Sequence, residues 1–348
     1  MRVVIVGASG NVGTSLIRSL AGEERVESIL ALARRIPKWK APKTEWAAVD
    51  VAVSDLASHF SGADAVVHLA WLIQPSRDLA TLYAANVRGT ERILDAIVEA
   101  KVPALCYASS VGAYSSGPKD RAVAEDWPTG GISSSFYSRH KAEVEGVLDR
   151  FQQDVPAERV VRMRPGLIFK GEAASEIRRL FAGPFMPSFL ANRRLIPVAP
   201  RIDGLRFQAV HSRDVGEAFR LALLGGARGA FNLAADPPLG PDELGELLGA
   251  RQVPIPRTVA RTLTDLTWRV HLQPSEPGWL DMALAVPLMD VSRAQTELGW
   301  IPRHTALEAL QELLEGLRRG RGMPTPPLEP DAGDRSRAEE LRGGVGAR

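Results

Sequence analysis

The chain has 348 residues, 45% apolar and 24% charged, with a formal net charge of +2. That balance excludes a disordered chain and a basic nucleic-acid binder, and no segment approaches the ~20 uninterrupted apolar residues of a membrane span. A single cysteine, Cys106, rules out an internal disulfide; set in the apolar run ALCYA it reads as a buried structural thiol, and a cytoplasmic setting is expected.

The first predicted strand, Arg2 to Val6, runs into GASGNVG and then the helical pattern TSLIRSL. Glycines at 7, 10 and 13 suit a tight strand-to-helix turn where backbone approaches a pyrophosphate and a helix N-terminus offers free N–H groups. Gly7, Ser9, Gly10, Asn11, Val12 and Gly13 are therefore cofactor-binding candidates. The second strand, Ser28 to Ala33, ends in ALARRIP, with Arg34 and Arg35 where an NAD site expects a carboxylate. An arginine fork suits a 2′-phosphate, so NADP(H) is favoured and NAD(H) is the alternative.

Further strands are read at Ala65 to Leu69, Ala104 to Ala108 and Arg159 to Arg164. Between them a helix from about Leu79 to Ala100 repeats Leu82, Ala85, Ile93, Leu94, Ile97 and Val98 at helical spacing. Alternating strands and helices predict an α/β fold, a doubly wound parallel sheet of the Rossmann type. In FYSRHKAEVEG, Tyr137 and Lys141 stand four apart on one helical face, where an ammonium would favour the phenolate. Arg139 and His140 are expected to point away, as solvent or interface residues. After Pro165 the alternation loosens, with breaks at Pro184, Pro187, Pro197 and Pro200. The expected domains are a dinucleotide-binding unit over 1–165, to which 206–235 returns, and a substrate lobe mainly over 166–319. Residues 320–348, rich in Pro, Gly and charge, read as a mobile tail without chemistry.

The ordered set GASGNVG, HLAW, NVRGT, YASSVGAY and YSRHK, followed by RPG, VHSRDV, FNLA and DVSRAQTELGW, resembles the extended short-chain dehydrogenases/reductases, and within them the NAD-dependent epimerase/dehydratase group, over residues 1 to about 318. The resemblance implies Tyr137 as general acid or base, Lys141 as the group that lowers its pKa and holds the nicotinamide ribose, and Ser110 as the group that positions the substrate oxygen. Ser109 beside it, Asn86 of NxxGT, Asp50 and Val51 near the adenine, and Leu69, Ala70 and Pro165 are implied cofactor contacts; His68 reads as a satisfied strand-end histidine. No metal set is read.

Where nucleotide-sugar epimerases usually carry an arginine four residues before the histidine matching His211, this chain has Phe207, with Arg206 one place early. Arg193 and Arg194 are candidate substitutes, and Trp71, Trp127, Phe185, Phe189 and Phe207 are candidate walls of a more apolar pocket. Three readings follow: an oxidoreductase acting on a small hydroxyl or carbonyl compound, a nucleotide-sugar epimerase or dehydratase, and a dinucleotide-sensing regulator. A homodimer through the 79–100 helix and the YxxxK helix is expected by the same resemblance.

Overall fold

The computed structural model describes residues 1–73, 77–156, 158–181, 198–273 and 275–330. Its strands, in chain order, are β1 (Arg2–Val6), β2 (Ser28–Ala33), β3 (Thr44–Ala48), β4 (Ala65–His68), β5 (Ala104–Ala108), the two-residue β6 (Ala122–Val123), β7 (Arg159–Pro165), β8 (Leu167–Phe169), β9 (Val198–Ile202), β10 (Phe207–His211), β11 (Gly229–Leu233), β12 (Ala235–Leu239), β13 (Arg251–Ile255) and the two-residue β14 (Leu288–Met289). The helices that position the site are α1 (Asn11–Ala21), α2 (Ala57–Phe60), α3 (Leu79–Tyr83), α4 (Gly89–Glu99), α5 (Phe136–Asp154), α6 (Ala174–Phe181) and α7 (Ser212–Gly225).

Seven strands form one sheet in the order β11-β7-β5-β4-β1-β2-β3, every pair parallel. Val3, Ile5, Val67 and Val161 face one apolar layer with α1 and α7; Val4, Val66, Leu105 and Val160 face the other with α4 and α5. Strands buried on both faces explain the short apolar runs that marked most of them in the sequence. The strand order reverses about β1 and β4, and in such sheets the cleft at the carboxyl ends of those strands receives the ligand.

α7 and β11 return to this sheet from late in the chain. Gly216 of α7 packs so closely on α1 that a Cβ there would lie 2.9 Å from Leu16 N. A second, smaller core unites the three-stranded β12-β10-β8 sheet with α6 and the helix Ala306–Arg319.

Three sequence expectations change. The 79–100 helix is interrupted by a π-helical turn, Ala84–Arg88, which carries Asn86. His140 is only 6% exposed and lies edge-on to Tyr83 and Phe136, whereas Arg139 is exposed. Three residues turn a helix by ~300°, which brings His140 back to within ~60° of Tyr137 rather than away from it. The third change concerns the stretch after Gly320. Met323 is 4% exposed and Leu328 0%, packed with Ala173 and Trp39, and Trp39 N donates to Pro324 O at 3.2 Å. Two apolar anchors fix a segment whose average composition reads as a tail; residues 331–348 lie outside the described residues.

Candidate active site

Every strand end of the cleft delivers a residue singled out in the sequence, and all but Arg35 line one cavity of about 590 Å³. Gly7 and the glycine loop follow β1, Arg34 follows β2, Asp50 and Val51 follow β3, and Leu69 and Ala70 follow β4. Ser109 and Ser110 follow β5, and Pro165 closes β7.

The loop is built around close backbone contact. Gly7 adopts φ +86°, and a Cβ on it would lie 2.5 Å from Ala70 N; a Cβ on Gly13 would lie 2.4 Å from Ala8 O. α1 starts with Gly10 as its cap, without a side-chain acceptor and without an acidic residue in its first turn. A helix N-terminus left open toward a cavity fits a phosphate group, so the residues present suit a dinucleotide.

Arg34 is exposed, lines the cavity and has no ion pair or hydrogen bond among the described residues. Arg35 is exposed and outside the cavity: the chain turns away after one residue, so of the two candidate arginines only Arg34 lines it. Asp50 Oδ1 accepts from Ala52 N at 2.9 Å, and Val51 packs on Gly89, where a Cβ would meet Val51 Cγ2 at 2.8 Å. Asn86 lines the cavity while its amide is spent on Leu72, accepting from N at 2.7 Å and donating to O at 3.0 Å. Its side chain pins the loop after β4. His68 Nε2 meets Thr90 Oγ1 at 2.9 Å, and burial drives the imidazole pKa down to about 3, so this histidine is neutral.

α5 begins where Ser135 Oγ accepts from Ser138 N at 3.4 Å, and Tyr137, Lys141 and Glu145 then leave one face at four-residue spacing. Ser110 Oγ accepts from Gly112 N at 2.9 Å and lies beside the Tyr137 phenol. Burial pushes the phenol pKa up to about 12, and the nearby Ser110 hydroxyl opposes the rise. Lys141 Nζ donates to Ala108 O at 2.7 Å and to Tyr107 Oη at 3.2 Å, and lies 3.5 Å from the Trp71 ring centroid but 5.9 Å from that of Tyr137. Burial lowers the Lys141 pKa well below the ordinary lysine value, with Glu145 pulling it back. The expected depression of the phenol by the ammonium is thus absent from this state: desolvation governs both groups, and the ammonium is aimed at the β5 carbonyl.

Ser109 also lines the cavity, but its hydroxyl donates to Glu145 Oε1 at 2.5 Å. Its side chain therefore serves the helix rather than a cofactor.

Residues that sequence reasoning missed complete the far wall. Trp279, from the helix Pro277–Ala285, has its ring centroid 4.9 Å from that of Tyr137 at 32°, and Trp71 meets the same ring edge-on at 6.0 Å. Met282 of the same helix, Ile177 and Leu180 of α6, and Pro327 of the C-terminal segment add apolar surface. Glu176 on α6 is the carboxyl of that wall; burial pushes its pKa up to about 7 against Arg179 and Lys170, and it has no hydrogen bond among the described residues. Only helical spacing within SEIRRL marks these α6 positions, and nothing local marks Trp279.

Of the other pocket candidates, Trp71 lines the cavity, whereas Trp127 packs with Tyr114 and Met289, and Phe207 joins the second core. Phe185, Phe189, Arg193 and Arg194 lie outside the described residues. Arg206 is exposed and donates to Lys119 O at 3.0 Å. His211 caps α7: Nδ1 accepts from Arg213 N at 3.1 Å and Nε2 meets Glu312 at 3.1 Å, so both ring nitrogens are engaged.

Residues 3–234 match the NAD-dependent epimerase/dehydratase family. The chain belongs to that family. Among relatives of this epimerase/dehydratase chain, the uncharacterized protein Rv2047c of Mycobacterium tuberculosis is 26% identical over 321 residues, 91% of this chain but 30% of its own length. The chain thus spans under a third of the first curated relatives it matches. L-arabinose 1-dehydrogenase (NAD(P)(+)) of Haloferax volcanii is 31% identical over 110 residues, 31% of this chain and 41% of that protein. Among solved structures, MoeE5 in complex with UDP-glucose and NAD is similar in fold, with a TM-score of 0.67, 22% identity, and 92% of this chain and 99% of that chain covered.

Proposed function

We propose that the protein transfers a hydride at a carbinol or carbonyl carbon of a small, partly apolar substrate, with Ser110, Tyr137 and Lys141 as its proton-transfer centre. The observation that carries this reading is that these three side chains and the open N-terminus of α1 line one cavity. A nicotinamide dinucleotide, when bound, supplies the hydride acceptor or donor. Gly7, Ser9, Gly10, Asn11, Val12 and Gly13 would hold its diphosphate, Asp50 and Val51 its adenine side, and Lys141 its nicotinamide ribose. Tyr137 Oη takes the substrate hydroxyl proton in oxidation and returns it in reduction, while Ser110 Oγ steadies the same oxygen. Trp71, Trp279 and Met282 exclude water from that oxygen, and the Glu176 carboxyl would accept a second hydroxyl of the substrate.

NADP(H) is the favoured cofactor because Arg34, without a partner among the described residues, stands at the end of β2 where the sequence has no carboxylate. Fluorescence titration with NADPH and NADH checks this: tighter NADPH binding is expected, with the preference lost in Arg34→Ala, and tighter NADH binding overturns it.

A nucleotide-sugar epimerase or dehydratase is the second reading, supported by the fold likeness to a UDP-glucose complex. Net consumption of cofactor with hydroxyl or carbonyl substrates supports the first reading; conversion of a nucleotide sugar without net cofactor change supports the second. The homodimer through α4 and α5 rests on family resemblance, and a monomer mass in solution refutes it.

A further inference from the structure

Directly behind the glycine loop lies a lysine that no part of the chemistry above uses. Lys170 follows β8 and is 0% exposed. Its Nζ donates to Asn11 O at 2.8 Å, to Thr14 Oγ1 at 2.6 Å and to Ser15 Oγ at 3.3 Å, all in the first turns of α1. Ser212 at the start of α7 joins the same knot, donating to Asn11 O at 3.0 Å and meeting Ser15 Oγ at 2.8 Å. Among the described residues no carboxylate forms an ion pair with this ammonium.

Such a placement is unfavourable by itself. A buried charge without a counter-charge is costly, and the positive end of a helix opposes a cation. Charged groups face it from each packed element: Glu172 and Glu176 from its own segment favour the ammonium, Arg18 of α1 and Arg213 of α7 oppose it, and burial outweighs them all, holding the pKa down to about 8. An anion on the other side of the turn would balance it. Asn11 gives its carbonyl to Lys170 on the core side and lines the cavity as part of the open α1 N-terminus.

We propose that Lys170 is the buried counter-charge of the cofactor's diphosphate, acting through the Asn11–Ser15 turn that separates them. The assignment rests on the dinucleotide reading of the cavity. Lys170 is a positioning residue here: it strengthens anion binding without touching the reacting atoms.

Calorimetry with ADP-ribose, in two buffers of different ionisation enthalpy, tests it without any turnover. ADP-ribose carries the diphosphate, and that diphosphate has no proton of its own to exchange near neutrality. A bound anion keeps Lys170 protonated, so binding at about pH 8 should take up about half a proton, and affinity should fall by up to about tenfold per pH unit above that. In Lys170→Met the uptake should vanish and affinity should drop about tenfold to a hundredfold. Uptake should persist in Glu176→Gln and in Lys141→Met, which remove the two cavity-lining groups whose pKa values are displaced toward neutrality. If Lys170→Met fails to fold, uptake that persists in both of those variants decides the matter. Binding of ADP-ribose with no proton uptake overturns the role of Lys170 and leaves the dinucleotide reading standing; absence of any ADP-ribose binding overturns both.

Discussion

Glu145 Oε1 accepts the Ser109 hydroxyl at 2.5 Å, and this bond ties α5 to the end of β5 one residue before Ser110. The same carboxylate receives Arg164 Nε at 2.9 Å and Nη2 at 3.0 Å, and Arg162 Nη1 at 3.0 Å. Tyr137, Lys141 and Glu145 share one face of α5, so the buried ion cluster at 145 fixes where the phenol at 137 meets Ser110. Burial alone would raise the Glu145 carboxyl; the Arg164 and Ser109 hydrogen bonds overcome it and hold the pKa at about 2.

Glu145→Gln would leave the buried Arg164 guanidinium without its counter-charge and Arg162 with only the exposed Asp149 carboxylate. A loss of about 3–5 kcal/mol in unfolding free energy is expected. Because the folded pKa is depressed, the wild-type contribution is complete above the ordinary carboxylate range and is lost as pH falls toward about 2. Denaturant titrations at about pH 7 and about pH 3 check both points. The variant should lose much less stability over that interval than the wild type, and equal losses contradict the cluster's role.

Gly112 lies against the phenol ring: a Cβ there would come 2.8 Å from Tyr137 Cε1 and 3.1 Å from Met282 Sδ. Gly112→Ala should therefore displace the ring and lower kcat by about tenfold to a hundredfold, since small misplacements of a reacting group are costly. Cofactor affinity should be nearly unchanged, because the glycine loop is untouched. Unchanged kcat would show that the ring position is not critical.

The raised phenol pKa sets a direction for pH dependence. Tyr137 is protonated through neutrality, which suits reduction, whereas oxidation needs the small phenolate fraction. The oxidation rate should climb with pH by up to about tenfold per unit through neutrality, while the reduction rate stays flat. An oxidation profile already level at about pH 6 contradicts this assignment.

Much of the fold was legible because β1, β2, β4 and β5 are buried on both faces and read as short apolar runs, whereas β7 is interrupted by Arg162 and Arg164 of the Glu145 cluster. The glycine loop was legible for a different reason: only residues without a Cβ tolerate backbone 2.5 Å from the ideal Cβ position of Gly7. Glu145 stood inside FYSRHKAEVEG and was hidden because its partners, Arg162, Arg164 and Ser109, come from β7 and β5. Trp279 and Glu176 reach the cavity only through the packing of late helices, which no local pattern encodes. The segment after Gly320 misled because two anchors, Met323 and Leu328, weigh little in an average over Pro, Gly and charge. His140 was misplaced by phase, not by chemistry.

The central claim is that Tyr137 is the proton-transfer group of a dinucleotide cleft. Steady-state turnover and NADPH binding of Tyr137→Phe test it most directly. Turnover should fall by about a hundredfold or more, as expected for loss of a general acid or base, while the dissociation constant for NADPH stays within about threefold of wild type. Turnover at the wild-type rate in that variant would contradict the account.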